Sequence, residues 1–148
     1  MEKNICIFGD SIIWGAFDTE KGGWANRLKI FLEKEFRDVA VYNLGISGDI
    51  TDDVLERFES ESRAREANVL VFAIGINDSQ YIKSKDNPHT PLEKFKNNLK
   101  DLIAKSRAFT DKIVFIGFAD IDESKTMPIP WRPDTYYDKK IFRFTTRR

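Results

Sequence analysis

Among its 148 residues the chain has one cysteine, one histidine and no excess of either charge. The lone Cys6 excludes an intrachain disulfide. It lies inside the apolar run Ile5-Cys6-Ile7-Phe8, which marks it as a buried structural thiol rather than a nucleophile. Lys+Arg and Asp+Glu number 24 each, so the formal net charge is zero. That balance lacks the electrostatic footprint of a nucleic-acid binder. No segment approaches the roughly 18 apolar residues that a membrane-spanning helix needs. The N-terminus passes from Met1 to Asn4 straight into the first apolar run, without a signal-peptide stretch, so the cytoplasm is the expected location. A phosphate-loop signature and Gly-x-Gly-x-x-Gly are both missing, which argues against a nucleotide cofactor. Asp120 and Asp122 have no His/Cys partner spacing, so no metal is expected. The basic residues of 143–148 read as a solvated terminus.

What is present suits one domain with one core. Apolar residues make up 41% and charged residues 32%, with twelve Phe and three Trp to supply buried area. Residues 5–8, 69–74 and 113–116 form short, continuously apolar, β-branched runs, and 39–42 form a weaker one. Hydrophobicity without alternation implies strands covered on both faces, the habit of parallel sheets. Between them lie helical stripes. Trp24, Leu28, Phe31 and Leu32 share one face, and Val54, Leu55 and Phe58 begin another behind Thr51 as expected N-cap. A third opens on Thr90-Pro91-Leu92-Glu93, read as a capping box with Pro in the first turn. The β-α-β-α-β-α-β order predicts right-handed crossovers and an open sheet with helices on both faces. The stretch from Met127 to Pro133 is proline-rich and reads as extended, and a further helix can start near Pro133-Asp-Thr-Tyr-Tyr137.

Ligands bind such sheets at the carboxyl ends of the strands. The residues that follow the strands are Gly9-Asp10-Ser11, then Asn43-Leu44-Gly45-Ile46-Ser47-Gly48-Asp49, then Gly75-Ile76-Asn77-Asp78, then Gly117-Phe118-Ala119-Asp120. Glycine in each lets backbone approach a substrate closely. Ser11 on a strand-to-helix turn, the amide of Gly48 and the side-chain NH₂ of Asn77 can converge on one oxyanion, the requirement of acyl transfer. Each motif also has a plain reading: Ser11 as a helix cap, Gly48 as a backbone hinge, Asn77 as a turn residue.

Taken in order, these blocks resemble the SGNH (GDSL-type) serine ester hydrolases, from about Asn4 to about Tyr137. The resemblance implies an α/β fold, a flavodoxin-like three-layer α/β/α sandwich with a parallel sheet. It implies Ser11 as nucleophile, and Gly48 and Asn77 as oxyanion donors. It implies hydrolysis or transfer of acyl esters, the family's substrates being lipids, acetylated sugars, thioesters and small esters, with no cofactor. The family also has a closing Asp-x-x-His block behind a fifth strand, whose His is the general base. Residues 139–148 do not resemble it, as expected of a chain truncated after about residue 137. A serine without a base is a poor nucleophile at neutral pH, so weak or absent turnover is expected.

The only histidine, His89, stands in a literal Asp86-Asn87-Pro88-His89. Its position after the third strand differs from the family's. The favoured reading is a solvated loop residue, the alternative a relocated base. Packing is expected of Ile12, Ile13 and Trp24, while Trp14 suits either core or pocket. Trp131, Tyr136 and Tyr137 belong to a loop that either caps the pocket or merely connects. Three function classes stay open: an ester hydrolase, an inactive binding domain, and an enzyme completed by a partner chain. Residues 113–116, left as an exposed apolar sheet edge, are expected to favour homo-oligomers.

Overall fold

The computed structural model describes residues 3–84, 86–118 and 122–137. In chain order the elements are β1 (Lys3–Gly9), α1 (Ser11–Trp14), α2 (Gly23–Glu35), β2 (Val39–Gly45), α3 (Thr51–Ala64) and β3 (Val69–Ala73). There follow β4 (Tyr81–Ile82), α4 (Leu92–Ser106), β5 (Ile113–Phe115), α5 (Glu123–Thr126) and β6 (Thr135–Tyr136). Four strands form a parallel sheet in the order β2-β1-β3-β5, the flavodoxin-like arrangement.

Strand side chains alternate between the faces, and here both faces are covered. From β1 and β3, Cys6, Phe8, Leu70 and Phe72 point toward Val54 and Phe58 of α3 and Leu102 of α4. Ile7 and Val71 point the other way, toward Ile13 of α1 and Ala25 and Leu28 of α2. That two-sided burial explains the absence of polar alternation in these strands. Burial pushes the Cys6 thiol up to about 11, consistent with an inert core residue. Phe8 stacks on Phe72 at 5.7 Å and Phe72 on Phe115 at 5.1 Å, with Phe58 edge-on to Phe8 at 6.2 Å. Aromatic residues thus bind three strands to α3.

Among the described residues β5 pairs only with β3 and so forms a sheet edge. Val114, Phe115 and Ile116 are 46%, 39% and 39% exposed, which is the apolar edge the sequence predicts. Among the described residues no further parallel strand covers it.

Several local expectations differ from the structure. Thr51 does not cap α3. Ile50 holds the cap position, its N–H donating to Asp53 Oδ2 at 2.9 Å, because the Thr51 hydroxyl is committed to Asp78. Pro91, with ψ 139°, stands just before α4 and displaces Thr90 from the cap. Ile12 is 54% exposed, whereas Ile13 is buried as predicted. The described residues 133–137 form no helix. Thr135 and Tyr136 pair antiparallel with Ile82 and Tyr81 instead, in a second, two-stranded sheet. Two-residue strands carry no readable periodicity, and their pairing is long-range.

Candidate active site

The parallel register levels the three strand ends. Gly9 pairs with Gly45 on one side and Ala73 on the other. Ser11 therefore follows the central strand by two residues, Gly48 follows its neighbour by three, and Asn77 follows the other neighbour by four. All three lie at one edge of the sheet.

Close packing explains two of the glycines differently from the sequence reading. A Cβ at Gly45 would stand 2.2 Å from the Trp14 amide nitrogen, and one at Gly9 2.2 Å from Ile13 Cγ1. These residues let α1 sit directly on the strand ends. Gly48 is different: nothing lies within 4 Å of its Cβ position, but its φ of +92° is the left-handed region. The residue is exposed, and its backbone conformation is one that glycine adopts freely. The helix behind Ser11 spans only four residues, so single amides rather than a macrodipole are what Ser11 has to offer.

Asp10 caps α1, accepting from Ile12 N at 2.9 Å, and is 1% exposed. Burial, reinforced by Asp49 and Asp78, pushes its pKa from 3.8 up to about 6. Burial likewise raises Asp78, against bonds from Thr51, and Asp49, against the Arg57 guanidinium. A carboxyl whose proton is held more tightly in the folded chain stabilises it below the unfolded pKa. That contribution is lost as pH rises through the folded pKa. For Asp10 the window is about pH 4 to 6, and two decades of proton affinity amount to at most about 3 kcal/mol. Asp10→Asn keeps the cap and removes the charge. Urea denaturation should find this variant more stable than wild type at about pH 8, with the gap closing toward about pH 4. A gap that does not change with pH would show that Asp10 is not the group responsible.

Asn77 is 9% exposed and firmly oriented. Its Nδ2 donates to the Asp49 carbonyl at 2.9 Å, and its Oδ1 accepts from Gln80 Nε2 at 2.8 Å. An amide has two N–H donors; one is spent on Asp49. Asp49 is anchored by Arg57, whose Nε and Nη2 reach Asp49 Oδ2 at 2.9 and 2.7 Å. Arg57 Nη2 also donates to the Leu44 carbonyl at 2.8 Å, and Nη1 to Glu61 at 2.8 Å. Its guanidinium stands over the Phe8 ring, 5.5 Å from the centroid. Asp78 accepts from Thr51 N and, at 2.6 Å, from Thr51 Oγ1.

His89 lies beside Asn77. Its N–H donates to the Gln80 carbonyl at 2.7 Å, and its Nδ1 is 3.1 Å from the Asn77 carbonyl. A carbonyl only accepts, so in this contact Nδ1 is the donor. A groove of about 340 Å³ is lined by Ser11, Ile12, Ala16, Phe17, Asp18 and Trp24. Trp14 is 57% exposed and Trp131 80% exposed, so neither belongs to the core.

The model of the GDSL-like lipase/acylhydrolase family matches residues 7–146, nearly the whole chain. The chain belongs to this family. An isoamyl acetate-hydrolyzing esterase 1 homolog from Mus musculus is 31% identical over 108 residues, 70% of this chain and 41% of that protein. An uncharacterized lipoprotein from Bacillus subtilis (strain 168) is 29% identical over 110 residues, 71% of this chain and 44% of that one. The chain thus spans less than half the length of these curated relatives. Among solved structures, a lipase/acylhydrolase from Enterococcus faecalis superposes with TM-score 0.69 at 26% identity, covering 95% of this chain and 66% of that one.

In this GDSL-like chain, Gly48 and Asn77 are brought to adjoining loops by the Asn77–Asp49 bond, and Ser11 to the strand end between them. Sequence reading missed Arg57 and Gln80. Arg57 looks like one more charge on a solvated helix face, since Glu61 at i+4 gives it an ordinary partner. Gln80 follows Asn77 by three residues with nothing local to distinguish it. Asp120 and residues 139–148 lie outside the described residues. Among the described residues no helix is long and apolar enough to cross a membrane, and no cluster of three metal-ligating side chains occurs.

Proposed function

We propose that this chain performs acyl transfer from small esters, with Ser11 as nucleophile and the amides of Ser11 and Gly48 and the side chain of Asn77 as oxyanion donors. The Ser11 Oγ attacks the ester carbonyl carbon and its proton passes to solvent water. The former carbonyl oxygen carries the negative charge into the donors, and the alcohol leaves as it regains a proton. Water then releases the acid. The observation that carries this reading is Asn77: buried, held on two sides, and with one N–H not used in its bonds to Asp49 and Gln80. The groove beside Ser11 is apolar along Ile12, Ala16 and Trp24, which suits an uncharged ester group.

With His89 as the only histidine, activation of Ser11 is weak, and slow turnover is expected of the chain alone. A fluorophosphonate probe tests the assignment, because it bonds to an activated serine and expels fluoride. Peptide mapping should find the adduct on Ser11. A chain that takes no adduct there is instead an inactive binding domain. His89→Ala is expected to change the labelling rate by less than about threefold, as for a loop residue outside the chemistry. A fall of about 100-fold or more would make His89 the base.

The exposed β5 edge supports a second proposal, that copies of this chain associate through it. Size-exclusion chromatography across a concentration series should show association that Val114→Lys reduces, since a charge on an open edge opposes pairing. A wild-type chain monomeric at every concentration removes this proposal. Labelling that rises with concentration would instead mean that a partner copy completes the site.

A further inference from the structure

We infer that Gln80 and Tyr137 are positioning residues for Asn77, so that the segment 122–137 governs the strength of the oxyanion donor; this rests on the function proposed above. The orientation of Asn77 is set by elimination. The Asp49 carbonyl can only accept, so Asn77 must turn Nδ2 toward it and Oδ1 away. Oδ1 then needs a donor, and Gln80 Nε2 supplies one at 2.8 Å. The Gln80 amide group also bonds the Tyr137 hydroxyl. Both Nε2 hydrogens are thereby spent, which fixes Gln80 in one orientation as well.

Gln80 is 8% exposed and Asn77 9%, so water is a poor substitute for either bond. Tyr137 is in turn pinned from two directions. Its N–H donates to the Thr126 carbonyl at 3.0 Å, and the preceding residues form the β4–β6 ladder, Tyr136 with Tyr81 and Thr135 with Ile82. Lys83 N also donates to the Asp134 carbonyl at 2.7 Å. The ladder and the Gln80–Tyr137 bond thus tie the loop after β3 to the loop after β5. Inverting the Asn77 amide would break the bond to Asp49 and the bond from Gln80 together and point a carbonyl oxygen at the substrate.

Two readouts test this on the full chain. The first is NMR of the Asn77 side-chain amide, assigned by its loss in Asn77→Asp. Gln80→Leu should shift that signal and speed its hydrogen exchange, and Tyr137→Phe should do so more weakly. The second is fluorophosphonate kinetics. The limiting rate of Ser11 labelling should fall about 10- to 100-fold in Gln80→Leu and about 2- to 10-fold in Tyr137→Phe, with the half-saturating probe concentration unchanged. A merely structural role would lower the melting temperature and leave the limiting rate alone. An Asn77 amide undisturbed in both variants overturns the inference. A wild-type chain whose Ser11 takes no probe overturns the proposed function first, and the amide signals then still decide whether Gln80 holds Asn77.

Discussion

Replacing Ser11 with alanine is expected to abolish fluorophosphonate uptake, and replacing Asn77 with alanine to slow it by about 100- to 1,000-fold. The first result follows from chemistry: without Oγ there is no atom to bond to phosphorus. The second follows from where charge develops. Attack on an ester carbonyl gives a tetrahedral intermediate, and attack on the probe a five-coordinate phosphorus; each places a full negative charge on an oxygen that was only partly negative before. A donor held in place beforehand costs no reorganisation when that charge appears. Asn77 is held in this way, by the Asp49 carbonyl on one side and Gln80 on the other. Limiting rates and half-saturating concentrations of probe should be measured for both variants. Asn77→Ala labelling at the wild-type rate would remove Asn77 from the oxyanion site.

Arg57→Ala is expected to destabilise the fold by about 3–5 kcal/mol, read as a lower urea midpoint with an unchanged denaturant slope. The Arg57 and Asp49 side chains are 17% and 9% exposed, so deleting one charge strands the other away from water. The Leu44 carbonyl loses its guanidinium donor too. Stranding, rather than the loss of the ion pair as such, is the source of the cost. Replacing the pair by apolar residues of similar size removes both charges, and is often neutral. The double variant Arg57→Met/Asp49→Leu should therefore recover most of the loss. A double variant as unstable as Arg57→Ala would point to the backbone carbonyl bonds as the larger contribution. The loop carrying Gly48 also depends on Asp49, so Arg57→Ala should slow Ser11 labelling even at temperatures where the chain is folded.

Much of the fold is written locally. The run around Cys6 and Phe8 predicts a strand buried on both faces, and the structure divides these side chains between α3 and α4 on one side and α1 and α2 on the other. The stripes at Trp24–Leu28 and Val54–Phe58 predict helices, and helices form there. Helix starts are less legible. Thr51 has the composition of an N-cap, but the carboxylate of Asp78 takes its hydroxyl from 27 residues away. The segment after Pro133 reads as a helix start, but its backbone finds partners in β4. In both places a distant group outcompeted a local preference, as tertiary contacts regularly do.

Taken by itself, the sequence determined the order of the four parallel strands and the three long helices between them, the two-sided burial of the sheet, and the placement of Ser11, Gly48 and Asn77 after successive strands. Periodicity and turn chemistry act within a few residues, so they can be read along the chain. Only the tertiary structure decided which groups hold those three in place: Arg57 on Asp49, Gln80 on Asn77, and Tyr137 on Gln80 across 57 positions. Buried polar groups must find partners wherever the fold brings donors and acceptors together, and that requirement leaves no pattern along the chain.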